Sequence, residues 1–311
     1  MRTQKEQCER ITLYEHANDP QGVCARTTPL DRLSNSIYAH VYPDPAFPDS
    51  NRGYIICDKY IVVVDATYLL NNVRNDLEEL RRLTHHKVRY LINTHYHSDH
   101  TYGNCLFDCE IVAHTKCFDL MKQEREKQLS GVFEEVKDPK DRKQLEGLRY
   151  PTVLFEESYQ LDSDPIIEVK HLGGHTPDLS AVHIPKERVL FASDNLFGSR
   201  NPSSPVEPEM NPRSDIDQWI LALKYLLTLD AKVIVPGHLG LCNKEAIRKL
   251  VDYLQLFLAN VRDLKRQGYS KEQVKQKREL LCLPTFEESG IDPTIMEGLT
   301  EYNIDMQYDK L

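Results

Sequence analysis

The sequence predicts an α/β fold, and three observations carry the prediction. Short apolar runs of β-favouring residues are spread along most of the 311 residues. Stretches with helical apolar spacing lie between and after them. Side chains of metal-ligand type stand just past four of the strand-length runs, where loops on a rigid base carry chemistry. A chain of this length holds one large domain or two modest ones, and the even spread of strand runs favours one domain with extensions.

Taken in order, residues 1–35 have few apolar positions among several Pro, Asp and Thr, and read as an irregular N-terminal extension. Residues 36–64 read as strands broken at Tyr42-Pro43-Asp44-Pro45 and Asp58-Lys59, with Cys57 in the core; the last strand is closed by Asp65. Apolar residues at 69, 70, 73, 77, 80 and 83 form a helical stripe. Residues 88–93 are a strand. A second helix is expected over 116–131, and the charged stretch 134–149 forms either a solvated helix or a wall over the site. Strands follow at 166–172, 188–192 and 232–235. Ser214 with Asp217 resembles a capping box for a helix to Leu229. Asn243 is the expected N-cap of a long amphipathic helix to about Lys265, and Ser270 with Gln273 opens another. Residues 281–311 are less periodic and contain Pro284, Pro293, Tyr302 and Tyr308. The expected division is therefore an extension (1–35), a main domain (36–269) and a C-terminal helical tail (270–311). The tail packs across the main domain or on a second copy of the chain in a homo-oligomer.

The six residues His95-Tyr96-His97-Ser98-Asp99-His100 carry three imidazoles and a carboxylate. Alternate residues of an extended segment point the same way, so His95 and His97 reach one ion from one side. Asp99 and His100, at the far end of the loop, are placed for a second. Histidine with carboxylate and no thiolate suits zinc, and also iron or manganese. Ligand types recur downstream in Gly173-Gly174-His175-Thr176-Pro177-Asp178, Ser193-Asp194-Asn195 and Pro236-Gly237-His238, each past a strand. Glycine or proline beside His175 and His238 lets the backbone turn sharply to present the ring. A lone histidine there is ordinarily a loop residue; four groups after four strands are a poor coincidence.

Composition narrows the partners. Net charge −9 and a pI near 5.8 argue against a general nucleic-acid surface. Residues 1–10 lack the apolar core of a signal peptide and no run approaches membrane-spanning length, so a cytoplasmic location is expected, with no membrane partner. The eight cysteines read as reduced thiols. Cys105, Cys109 and Cys117 lack C-x-x-C spacing and read as small buried residues rather than a third metal site.

Together these motifs resemble the metallo-β-lactamase superfamily of hydrolases. The resemblance runs from about residue 36 to 238, through H-x-H-x-D-H, G-G-H-T, S-D-N and P-G-H, with Asp65 and Gly103-Asn104. It implies a four-layer αβ/βα sandwich with metals at one edge between two sheets, and makes residues 36–269 the catalytic domain. It places His95, His97 and His175 on a first zinc and Asp99, His100 and His238 on a second, with Asp194 bridging both. Two cations sharing a water lower its pKa, so hydroxide is available near neutral pH to attack a carbonyl or phosphoryl centre. Asp99 is placed to pass a proton to the leaving group. Asp65 and Asp178 are read as partners of ligand imidazoles, or else as a strand-end turn and a loop cap. Tyr96, Tyr102 and Phe197 are read as substrate-pocket residues.

Folds host many chemistries, so departures from each subfamily decide the rest. The commonest class-B β-lactamases place Cys at the position of Asp194, Arg at that of His100, and Lys at that of Phe197. Acyl-homoserine lactonases share the aspartate bridge but carry Tyr at the position of Phe197. Hydroxyacylglutathione hydrolases and transfer-RNA-processing nucleases share all seven ligands. The expectation is a binuclear zinc hydrolase using a metal-bridging hydroxide on a small ester, thioester, lactone or lactam. The alternatives are a hydroxyacylglutathione-hydrolase-like thioesterase, a weak or promiscuous β-lactamase, a mononuclear iron persulfide dioxygenase, and a phosphodiesterase or nuclease. A non-catalytic binding module would ordinarily have lost ligands, and none is lost here.

Overall fold

Period-two alternation in the apolar runs gives each strand two usable faces, and the chain builds two facing sheets from them. The computed structural model describes residues 30–42, 49–281 and 289–311. The first sheet runs in chain order: β1 (Asp31–Arg32), β2 (Ile37–His40), β3 (Arg52–Ile56), β4 (Ile61–Val64), β5 (Val88–Ile92), β6 (Glu110–His114) and β7 (Val153–Phe155). Strands β1 to β4 pair antiparallel, and β4 to β7 pair parallel. The second sheet holds β8 (Ser158–Leu161), β9 (Ile167–His171), β10 (Ser180–Ile184), β11 (Val189–Phe197) and β12 (Val233–His238) in the order β12-β11-β10-β9-β8. Its β11–β12 pair is parallel and its other pairs are antiparallel. The helices are α1 (Leu70–Leu83), α2 (Ser98–Thr101), α3 (Thr115–Glu135), α4 (Pro139–Glu146), α5 (Ile216–Thr228), α6 (Lys244–Arg266), α7 (Lys271–Lys275) and α8 (Pro293–Gln307).

Strand β4 shows how alternation makes layers. Val62 and Val64 enter the space between the sheets, with Ile55, Ile92 and Val112 from the first sheet and Val169, Val182, Phe191 and Val235 from the second. Ile61 and Val63 turn outward to Val73 and Leu80 of α1. On the far side, Leu190, Ala192 and Ile234 meet Trp219 and Leu223 of α5, Leu250 and Leu254 of α6, and Met296 and Ile304 of α8. Each such side chain contributes about 1.5–3 kcal/mol on full burial. Helices, sheet, sheet and helices thus form four layers, as the family resemblance implied.

Several expectations shift in detail. Helix α3 is longer than the predicted 116–131. The charged stretch supplies its end and α4, which is capped by Asp138 and tied to α1 by Arg74–Asp141 at 2.8 Å. Asp215, not Ser214, caps α5, accepting from the Gln218 amide at 3.0 Å, because the Ser214 hydroxyl is engaged elsewhere. Asn243 and the Ser270–Gln273 box cap α6 and α7 as expected. Strands β11 and β12 run past their predicted ends to Phe197 and His238, so Asp194 and His238 sit within strands rather than in loops. Parallel pairing between the two continues through register shifts around Ser193, whose φ is +52°. Most of the predicted extension, the Pro43–Pro45 break, Pro284 and Cys8, Cys24 and Cys282 lie outside the described residues. Within the extension, Leu30 is buried and β1 joins the sheet. Among the described residues no helix is long and apolar enough to cross a membrane.

Candidate metal centre

The two sheets bring seven side chains to one edge. His95, His97, His175 and Asp194 form one group and Asp99, His100 and His238 another, with one ligand atom per residue within 4.8 Å of the others in its group. His97 Nδ1 is 3.3 Å from His175 Nε2. Asp99 Oδ2 is 3.1 Å from His238 Nε2 and 3.4 Å from His100 Nε2. Ligand atoms about 2.0–2.1 Å from a tetrahedral ion stand roughly 3.3–3.4 Å apart, so these spacings fit an ion within each group.

Asp194 touches both groups. Its Oδ2 is 3.6 Å from His95 Nε2, 3.5 Å from His175 Nε2 and 3.6 Å from His238 Nε2, while Oδ1 is 3.1 Å from His100 Nε2. His95 Nε2 is buried and has no hydrogen-bond partner. Buried polar atoms are seldom left so unless something outside the protein completes them. An unpartnered buried nitrogen in a group of ligand-type nitrogen and oxygen atoms within 4.8 Å of one another fits a bound cation.

Electrostatics divide the imidazoles. Burial, with the charge of His100, holds His95 well below the usual histidine range. Burial and His175 take His97 down to about 3, and burial takes His175 to about 4. These three rings are neutral at pH 7, the form that binds metal. Burial also opposes charge on His100 and His238, but the Asp194 and Asp99 carboxylates outweigh it. They hold His100 well above its usual range and His238 at about 10.

The sequence around the ligands explains their placement. Asp65 ends β4 in the left-handed region at φ +61°, a costly conformation outside glycine. From there it accepts from the Thr94 amide at 2.8 Å, the Thr94 hydroxyl at 2.7 Å and His100 Nδ1 at 2.9 Å. That turns His100 Nε2 toward Asp194. Thr94 Oγ1 and Ser193 Oγ stand 3.2 and 3.3 Å from His95 Nδ1 and do the same for that ring. Asn93 and Asn104 exchange side-chain hydrogen bonds at 3.0 and 2.8 Å across the base of the histidine loop. Ser50 donates to the Asp99 carbonyl and bridges His238, and Asn51 Nδ2 holds the Pro236 and Leu239 carbonyls at 2.9 and 2.8 Å. A Cβ at Gly237 would stand 1.8 Å from Asp194 Oδ1, so only glycine lets the carboxylate lie against β12. Ser50 and Asn51, far from the histidine motif in the chain, escaped sequence reasoning, and Ser193 was seen in the S-D-N motif without a role. Thr94, adjoining the histidine motif, was the one accessible hint.

Asp65→Ala is expected to weaken metal binding about 10- to 100-fold, as loss of an imidazole's outer partner does. Chelator competition measures it; unchanged affinity would leave Asp65 as a turn residue only.

Residues 50–238 match the family model described as the metallo-beta-lactamase superfamily. The chain belongs to that superfamily. Among solved structures it is similar to a metallo-beta-lactamase from Pontibacter korlensis, with a TM-score of 0.58 and 18% identity over 73% of this chain and 98% of that one. It is also similar to the DIM-1 metallo-beta-lactamase, with a TM-score of 0.57 and 17% identity over 73% of this chain and 96% of that one. Likeness at such identities speaks for the fold. Superfamily members bind metal ions, and the His/Asp cluster lies where this fold gathers residues from both sheets.

Two superfamily-based expectations need correction. Tyr102 does not face the cleft. Residues 102–106 form a 3-10 turn that buries its ring among Leu70, Val132 and Leu145, and its hydroxyl donates to the Arg125 carbonyl at 3.2 Å. Asp178 orients no ligand imidazole. It lies among Thr176, Cys117 and the Tyr96 amide, where burial pushes its carboxyl up to about 6. Phe197 and Tyr96 lie against imidazoles of the two ligand groups. The Phe197 ring stacks on His238 with centroids 5.5 Å apart and meets the edge of His175 at 5.9 Å. Tyr96 lies 4.6 Å from the His97 ring, and its hydroxyl meets Arg213.

Proposed function

We propose that this superfamily member is a hydrolase with a binuclear zinc centre, acting on a small ester, thioester, lactone or lactam. The observation that carries the reading is Asp194, one buried carboxylate facing both ligand groups with neither group missing a member. Two zinc ions, when bound, supply an activated water and a Lewis acid for the bond under attack. The chain's own residues divide the remaining work. Asp194 holds the two groups in one unit. His95, His97 and His175 offer neutral nitrogens on one side; Asp99, His100 and His238 complete the other. The Asp99 side chain is 26% exposed against 4% for Asp194, so Asp99 is the carboxylate a leaving group can reach to collect a proton. Phe197 and Tyr96 give the centre aromatic borders, which suit flat or apolar acyl groups.

The expected partner is a small molecule rather than a nucleic acid or membrane, in keeping with the net charge of −9. A cytoplasmic setting belongs to the same reading; the five described cysteines are free thiols, as a reducing compartment keeps them. The test is a substrate panel of activated esters, thioesters, lactones and β-lactams run on zinc-loaded protein. Measurable hydrolysis of the activated acyl compounds is expected, without efficient turnover of any β-lactam drug, because Phe197 supplies no charge for the drug carboxylate. Oxygen uptake with a persulfide by iron-loaded protein, and no hydrolysis by the zinc form, would replace this reading with a dioxygenase. Cleavage confined to phosphodiesters would move it to the nuclease side.

A further inference from the structure

Four polar residues near the C-terminus share one side of the chain: Thr300, Asn303 and Gln307 on α8, and Lys310 in the turn after it. Their spacing of three, four and three residues is that of a single helix face. Thr300 and Asn303 are fully buried and Gln307 is 1% exposed. Buried polar side chains cost stability unless hydrogen-bonded, so their partners say what the face is for. Those partners converge on residues 207–214. Thr300 Oγ1 donates to Glu207 at 2.7 Å, and Asn303 Nδ2 donates to Glu207 at 3.0 Å and to the Pro208 carbonyl at 2.9 Å. Asn303 Oδ1 accepts from the Met210 amide at 2.8 Å. Gln307 Nε2 donates to the Asn211 carbonyl at 3.1 Å, and Lys310 Nζ donates to the Ser214 carbonyl at 3.0 Å.

The same short segment grips His175. Asn211 Nδ2 and Ser214 Oγ both donate to the His175 carbonyl, at 2.8 and 2.7 Å. The Ser214 hydroxyl accepts from the Asn211 amide at 2.9 Å, locking the two together. His175 needs this more than its neighbours do. His100 is oriented through Nδ1 by Asp65, and His95 Nδ1 has two hydroxyls in reach, but His175 Nδ1 is buried with no partner at all. With no outer hydrogen bond on the ring, its direction is set by ring packing and by where its backbone is fixed.

We infer that α8 is a positioning element of the metal centre: Asn303, Gln307 and Lys310 act through residues 207–214 to fix the backbone, and so the ring, of His175. The inference rests on the metal-centre reading above and deepens it. It gives the C-terminal helix, outside the matched span of residues 50–238, a direct part in one ligand group. Among the described residues, Asp99, His100 and His238 receive no hydrogen bond from residues 207–214; the Val206 amide, bonded to the Phe197 carbonyl at 3.0 Å, reaches His238 only through the Phe197 ring.

The test compares metal binding in folded variants, with zinc affinity read by chelator competition and geometry read from the visible bands of the cobalt-loaded protein. Gln307→Ala and Lys310→Ala are expected to weaken the first-bound zinc about tenfold, the low end for outer partners, and to shift the cobalt bands. The second zinc step should be unaffected, and Lys310→Arg, which keeps a donor, should restore the wild-type spectrum. Asp305→Ala is the control for general stability: it lies on the opposite face of α8 and removes a 2.6 Å pair with Lys275. It should leave both metal steps alone. Wild-type affinity and spectrum in Gln307→Ala and Lys310→Ala would overturn the inference, as would equal weakening by Asp305→Ala. If Gln307→Ala does not fold, Lys310→Ala, at the exposed end of the stripe, decides alone. A wild-type protein that takes up no zinc or cobalt would instead sink the functional reading, and this inference with it.

Discussion

Asp194→Ala is expected to lower turnover by at least ~100-fold while leaving the chain folded, on the scale of damage to a metal's surroundings. Among the described residues Asp194 is the one carboxylate within 3.6 Å of imidazoles from both groups, and it is all but inaccessible to solvent. Removing it would take away the anion that the two ions of the proposed centre would share, and would release His100 and His238 from the charge beside them. The fold loses less, because the carboxylate accepts no hydrogen bond from the backbone around it and its neighbours on β11 stay packed in the core. Steady-state kinetics, elemental analysis and circular dichroism on one preparation read the three quantities separately. A folded variant with full metal and near-normal activity would show that Asp194 does not join the two groups.

The largest stability effect is expected at Arg52, which is fully buried. Its guanidinium donates to Asp76 at 2.9 Å, Asp49 at 2.8 Å, the Ser50 carbonyl at 2.9 Å and the Tyr42 hydroxyl at 3.0 Å. Asp76 also bonds His40 at 2.5 Å and the Tyr54 hydroxyl at 2.6 Å; burial opposes its charge, but Arg52, His40 and Tyr54 together hold its carboxyl below the usual range. Arg52→Met keeps the bulk but strands two carboxylates out of water, a loss of about 3–5 kcal/mol for breaking a buried pair from one side. Denaturant titration measures it. Adding Asp76→Asn to that background should recover part of the loss, since contacting residues do not add independently. A loss below ~1 kcal/mol would mean that the network is not held by charge. Because Ser50 lies between this network and both the Asp99 carbonyl and His238, the variant should also bind its second metal more weakly.

The ligand groups were legible in the sequence for a local reason. His95, His97, Asp99 and His100 sit within one short loop, His175 and His238 stand beside glycine, and Asp194 follows a strand-length apolar run, so spacing and turn chemistry point to them directly. The layers were legible because β4 and α1 carry plain periodicity. What escaped reading depends on contacts distant in sequence. Ser214 looked like a helix cap because capping is a local pattern, yet its hydroxyl is drawn to the His175 carbonyl, 39 residues away. Tyr102 neighbours the metal loop in sequence but is turned away by a 3-10 turn that no composition signalled. The polar face of α8 was hidden because Thr300, Asn303 and Gln307 resemble surface residues until residues 207–214 are placed against them.

Elemental analysis of protein purified without chelator and reconstituted with zinc tests the central claim most directly. The two ligand groups predict an approach to two transition-metal ions per chain, falling toward one in His238→Ala, which depletes the smaller group. No bound metal after reconstitution would contradict the account and remove the hydrolase reading.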